Sequence, residues 1–241
     1  MNKIVFYLAI GYIGWAAYIG HAIAAEPLPD MNEQTLQNKY HVAATEGGLI
    51  GALRHPEVVV RQFAATKLAN DGYKTAIRPI LDALASEKVE NVKLALATAA
   101  SRLGAPEGVS ALQSMCEDRS WSPSMRMAAA QSMVFGLGRQ ECLSDVVDVL
   151  RSEPGDHEAV PTALNLLSRF KQIPSSQLEE VRGLVALYLQ SPSPDFRLAA
   201  GTCIRDMGTP WAISQLQAAL NAERDEAVRN SLAKDLLSVR P

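Results

Sequence analysis

The chain has 241 residues, 48% of them hydrophobic and only 6% aromatic, which is ample apolar material for a core and favours close helix packing over a sheet. Its formal net charge is −3, and dropping Lys3, the sole charge before Glu26, leaves 22 basic against 26 acidic residues, a net of −4. That balance offers no general attraction to phosphate backbones or anionic lipid and speaks against a nucleic-acid partner.

The stretch from Ile4 to Ala25 carries no charge, follows Lys3 and ends in "HAIAAEP", with Ala22 and Ala24 at the small-residue positions that a signal peptidase reads. Residues 1–25 therefore read as a secretion signal. The uncharged run from Ile4 to Ala25 is also as long as a membrane-spanning helix needs, so an uncleaved anchor is the alternative. Gly11, Gly14, Gly20 and His21 weaken it as a span. Either outcome exports the remainder to the periplasm or beyond, with membrane contact only if the segment stays attached. Residues 26–46 follow as a linker, "PLPD", and a capping helix from Met31 to about Thr45, opened by a capping box of Asp30 and Glu33.

From residue 47 onward one pattern returns. The intervals between Arg61, Lys93, Arg126, Arg197 and Arg229 are 32, 33, 71 and 32, and 71 is two spacings with one marker lost. An apolar residue precedes each: Val60, Val92, Met125, Phe196 and Val228. A small one follows four later: Ala65, Ala97, Ala130, Gly201 and Ala233. Seven later stand Leu68, Ala100, Met133, Ile204 and Leu236. On a helix these offsets share one face, which predicts a buried stripe with a trough for a neighbouring helix. Gly72, Gly104, Gly138 and Gly208 are placed as left-handed C-terminal caps, and a second amphipathic run such as "AIRPILDAL" or "CLSDVVDVL" follows each.

Two helices per period of about 33 residues predict a solenoid. The fold class expected is all-α, an α-α superhelix of about six helix pairs over residues 47–241. Through "PEVVVRQFAATKLANDG", "ENVKLALATAASRLG" and "RDEAVRNSLAKDLL" the chain resembles the HEAT-repeat family, in particular the HEAT-like repeats of phycobilin lyases. That resemblance implies a protein-binding solenoid whose concave face is lined by the second helix of each unit. It also implies a runner-up function, a lyase-like or other cofactor-handling protein, while an uncleaved anchor would suit a structural module of an envelope complex.

The fourth unit departs from the pattern: "HEAVPTALNLLSRFKQIP" has Val160 near the basic position and Pro174 in place of a closing glycine. A weaker inter-repeat contact is expected there.

Cysteine geometry speaks against a bridge. Cys116 falls near the end of one helix and Cys142 near the start of the equivalent helix one repeat later; if these run parallel they are offset by roughly 9 to 13 Å at about 1.5 Å per residue. A bridge tolerates about 7 Å between Cα atoms, and Cys203 lies on the other layer, so no intrachain disulfide is expected.

Catalytic chemistry finds little material. The four histidines, His21, His41, His55 and His157, show no metal-ligand spacing and no arrangement for nucleophilic catalysis. The His157–Glu158 pair resembles one element of the di-iron site of deoxyhypusine hydroxylases, which needs several such pairs. No enzyme activity, metal or other cofactor is expected. The basic residues of the motif read as structural, paired with nearby acids such as Glu57, Glu90, Asp195 and Glu226.

What remains is surface. Offsets of five and nine from the basic residues fall opposite the buried stripe, and the partner-binding residues expected are Thr98, Arg102, Gln131, Phe135, Thr202 and Asp206, with Phe135 and Arg102 foremost. Trp121, in the long turn "EDRSWSPS", is a further candidate anchor, whereas Trp211 reads as packing. The function expected is an exported scaffold or adaptor that holds a protein or peptide partner along its concave face.

Overall fold

The computed structural model describes residues 31–239 except 153, 171, 172 and 209. The expected signal or anchor, the "PLPD" linker and Asp30 lie outside the described residues.

The described residues form thirteen α-helices and no strand. In chain order these are α1 Glu33–Tyr40, α2 Glu46–Ala52, α3 Val58–Asn70, α4 Ile77–Ser86, α5 Glu90–Arg102, α6 Pro106–Glu117 and α7 Pro123–Gln131. They continue with α8 Leu143–Ser152, α9 Ala159–Leu167, α10 Ser175–Tyr188, α11 Pro194–Met207, α12 Pro210–Ala222 and α13 Glu226–Ser238.

Local chemistry sets these limits. Pro106, Pro123 and Pro194 open their helices, where a missing N–H costs nothing. Asp225 and Ser122 accept from the N–H groups of Val228 and Met125 at 3.0 and 3.3 Å. Gly72, Gly104, Gly138 and Gly208 all have positive φ and end α3, α5, the π-helical extension of α7 and α11, as the sequence predicted.

The N-terminal cap differs from expectation. The Asn32 side chain accepts from Thr35 N–H at 2.8 Å, so the helix starts at Glu33, and it stops at Tyr40 because His41 turns left-handed at φ 54°. Thr45 then caps a second short helix, α2, through Gly48 N–H at 3.3 Å. Leu36 and Leu49, from the two pieces, are fully buried and cover the apolar end of α3.

With α2 counted, the described residues resolve into six complete pairs: α2–α3, α4–α5, α6–α7, α8–α9, α10–α11 and α12–α13. The odd-numbered helices α3 to α13 pack on one another in sequence, whereas the even-numbered ones pack mainly on the odd layer and hardly on each other. In a curved stack the layer with the closer neighbours is the inner one. The concave face is therefore lined by the helices that carry the basic motif, not by the amphipathic helices that follow them, and the repeat phase is second run first.

The predicted stripe is buried. Val60, Ala65, Leu68, Val92, Ala97, Ala100, Ala130, Met133 and Ile204 have no exposed surface. Met125 is half-buried, as are Ala233 and Leu236 on the last helix, which has no following repeat to cover it.

The weak contact expected at the fourth pair lies elsewhere. Helix α9 packs on both α7 and α11, and the thinnest inner contact is between α5 and α7. There the core divides into a cluster of Leu36 to Ala105 and one running from Ala97 and Leu112 to Leu232. The cause is local: α7 continues as a π-helical segment, Ser132–Gly136, which absorbs one extra residue. Gly138 follows Arg126 by one position more than Gly72, Gly104 and Gly208 follow Arg61, Lys93 and Arg197.

The same unit overturns the disulfide expectation: Cys116 and Cys142 are bonded, with Cα atoms 5.9 Å apart. The offset between parallel helices is cancelled by a register shift. Arg61 and Arg197 reach Glu87 and Glu223, each at a sequence separation of 26 and just past the end of its outer helix. Arg126 instead reaches Asp148, at a separation of 22, and Asp145, one helical turn earlier on α8. Helix α8 has thus slid by four to seven positions, about 6 to 10 Å at about 1.5 Å per residue, which brings its start level with the end of α6. Cys203 is a free, fully buried thiol, pushed up to about 12 by burial and by the nearby Asp206 charge.

Candidate functional site

At Arg61, Arg126 and Arg197 the basic motif is a fastening. The Arg61 guanidinium donates to both Glu87 oxygens at 2.8 and 3.2 Å and to the carbonyls of His55 and Pro56 at 2.8 and 2.9 Å. Arg197 repeats the arrangement with Glu223 at 2.7 and 3.1 Å and the carbonyls of Ser191 and Pro192. Each glutamate also accepts from the two backbone N–H groups that follow it. The set ties the loop before one inner helix to the loop before the next, and the acid is the one after the outer helix rather than Glu57 or Asp195. These contacts hold the Glu223 carboxyl below its usual range through the Arg197 hydrogen bond foremost, against the opposing effect of burial. Arg126 is buried and bonds the Cys116 carbonyl at 2.9 Å.

The candidate partner residues lie on the inner helices. Thr98 and Arg102 project from α5, Gln131 and Phe135 from α7 and its extension, and Thr202 and Asp206 from α11. Thr98 donates from Oγ1 to Ser132 Oγ at 3.1 Å, bridging the thin contact between α5 and α7. Arg102 donates to Asn70 Oδ1 on α3 at 2.7 Å. The Phe135 ring is 41% exposed and lies 5.8 Å under the guanidinium of Arg169, at the end of α9. Asp206 is exposed and paired with Arg205 at 2.7 Å, while Thr202 and Gln131 are half-buried. The structure thus groups Arg102, Phe135 and the polar residues between them on neighbouring helices, and sets Thr202 and Asp206 beyond α9.

Trp121 does not belong to this group. It lies before the first turn of α7, about 14 residues from Phe135 and so about 21 Å away at about 1.5 Å per residue. Its ring is half-buried against the core, with Lys93 Nζ 5.9 Å from its centre. Trp211 also packs, under Arg182 at 5.3 Å.

Arg169 is the residue that sequence reasoning missed. It stands nine positions after Val160, where the fourth unit has lost its basic marker, so the same count that selected Arg102 and Phe135 reaches it. Asn70, Arg102, Phe135, Arg169 and Asp206 form one row along the C-terminal ends of α3, α5, α7, α9 and α11. The carbonyl-rich end of a helix favours a cation, which suits both arginines to their places.

His55 and His157 make local structural contacts. His55 Nδ1 accepts from Glu57 N–H at 3.1 Å, and the His157 ring lies 5.1 Å from Phe196. Glu158 accepts from Ser124 Oγ at 3.0 Å. Among the described residues, no three His, Cys, Asp or Glu side chains come together as a metal site would require.

Comparison with known proteins finds a family match over part of the chain. Residues 47–134 match HEAT repeats. The match opens with α2 and closes within the π-helical extension of α7, three complete pairs in the phase described above. No curated protein matches the chain. Among solved structures, human deoxyhypusine hydroxylase in complex with glycerol is similar at 17% identity and a TM-score of 0.42, covering 94% of this chain and 84% of that one. The complex of CpcE and CpcF of phycocyanin lyase from Nostoc sp. PCC7120 is similar at 17% identity and a TM-score of 0.37, covering 81% and 94%.

Proposed function

We propose that this chain, an all-α superhelix carrying HEAT repeats over residues 47–134, is an exported scaffold that holds a protein or peptide segment along its inner face. The observation that carries the reading is the row at the C-terminal ends of the inner helices, where Arg102, an exposed Phe135 and Arg169 occur on consecutive helices. Aromatic and arginine side chains anchor protein interfaces, and a preformed curved surface binds with little ordering cost on its own side. The disulfide supports export, since such bonds persist in oxidising compartments.

The test is capture from envelope extract by Ala25–Pro241, beside a variant combining Arg102→Ala and Phe135→Ala. The account expects a partner held by the native chain and lost by the variant, with helical content unchanged in both. A partner held equally by both places binding off the inner face and overturns this site. The intact mass of the exported protein bears on the anchor: loss of Met1 to Ala24 is expected, and their retention would make it a membrane-anchored module.

A further inference from the structure

Between α5 and α9, the outward positions of the inner face carry two arginines, one phenylalanine and otherwise hydroxyl and amide groups: Thr98, Gln131, Ser132 and Asn165. No acid stands among them, although the chain as a whole is acidic. Among the described residues, Arg102 is held by the neutral Asn70 side chain and Arg169 by the Phe135 ring, so neither guanidinium is neutralised by a carboxylate. Asn70 and Phe135 leave most of each guanidinium's donors available, in the planar fork that matches a carboxylate.

From this local reversal of charge we infer that the row Arg102, Phe135, Arg169 binds an extended acidic peptide segment with an apolar residue between its two carboxylates. The inference rests on the scaffold reading and names the chemistry of its partner. Packed helices lie about 8 to 10 Å apart, so two inner spacings separate the arginines by about 16 to 20 Å. An extended chain advances about 3.3 Å per residue, which sets the two acids about five or six residues apart. The apolar side chain between them packs on the part of the Phe135 ring that Arg169 leaves exposed. Two isolated cations and a single ring are too few to track a nucleic-acid backbone.

Fluorescence anisotropy of labelled synthetic peptides tests this with the chain Ala25–Pro241. The probe is a Gly/Ser decapeptide with two aspartates about six residues apart and a leucine midway. Its controls have the aspartates adjacent, both changed to asparagine, or both changed to lysine. The spaced aspartate peptide is expected to bind best and to weaken as salt rises. Arg102→Gln and Arg169→Gln are each expected to weaken it about tenfold, and Phe135→Ala to remove the preference for leucine. Equal binding of the asparagine peptide, or no effect of either arginine substitution, overturns the inference. Where the probes fail to bind but the Arg102, Phe135 variant still loses its captured partner, the acidic chemistry is wrong and the scaffold reading stands. Failure of both experiments removes both.

Discussion

At the scale of single residues, two kinds of carboxylate behave oppositely with pH. Glu223 is held low by the Arg197 hydrogen bond, so its contribution to stability is present above its unfolded value near 4.5 and is lost as pH falls through the lowered folded value. Arg197→Met strands this nearly buried glutamate and is expected to cost about 2 to 3 kcal/mol at neutral pH, measured by denaturant unfolding. The cost shrinks as the carboxyl protonates. Asp235 runs the other way. It is buried between α11 and α13, one oxygen bonded to Arg205 at 2.8 Å and the other without a partner among the described residues. Burial raises it above the ordinary aspartate value, with Asp206 adding to the rise and Arg205 and Lys234 opposing it. Its stabilising effect is therefore full at low pH and fades as pH rises through the raised folded value. The melting temperature of Asp235→Asn relative to the native chain is expected to be more favourable at pH 7 than at pH 4; a constant difference would contradict this reading.

At the scale of elements, α5 and α6 approach closely at Gly108. A Cβ on Gly108 would stand 2.4 Å from Ser101 N and 2.8 Å from Ala97 O, backbone atoms that cannot swing aside. Gly108→Ala is expected to destabilise by about 1 to 3 kcal/mol, read from the denaturant midpoint at unchanged slope. The disulfide closes a sequence separation of 26 and holds the shifted α8 against α6. Removing it is expected to cost about 2 to 4 kcal/mol. Thiol titration gives a simple check: none of the three cysteines reacts in the native state, one reacts on unfolding, and all three after reduction. Two or more reactive thiols on unfolding without reductant would contradict the bond.

The inner helices and their glycine ends followed from the spacing of Arg61, Lys93, Arg126 and Arg197, because one buried stripe per helix repeats with the period of the fold. The extra residue between Arg126 and Gly138 was equally present in the sequence, but a count of residues does not say that it is absorbed as a π turn. The sliding of α8 that follows is a tertiary event. The cysteine reading failed there because it assumed the same register in every unit. Arg102 and Phe135 were recognisable from their offset, while Arg169 was masked by the loss of a basic residue at Val160. Glu87 and Glu223 share a spacing of 26 from their arginines, a regularity visible only once both ends of the pair are known.

At the scale of the whole molecule, curvature decides what the surface can do. The closer packing of α3, α5, α7, α9, α11 and α13 puts the motif-bearing helices inside, and with them the row from Asn70 to Asp206. The thin contact between α5 and α7 lies within that row, bridged by Thr98 and Ser132, so Phe135 and Arg102 sit on either side of the weakest inner interface. The most direct test is photo-crosslinking in the producing cells, with a photoreactive residue at Gln131 on the inner face or at the exposed Arg78 on α4. The account predicts a discrete partner adduct at Gln131 and none at Arg78. An adduct at Arg78 alone would contradict it.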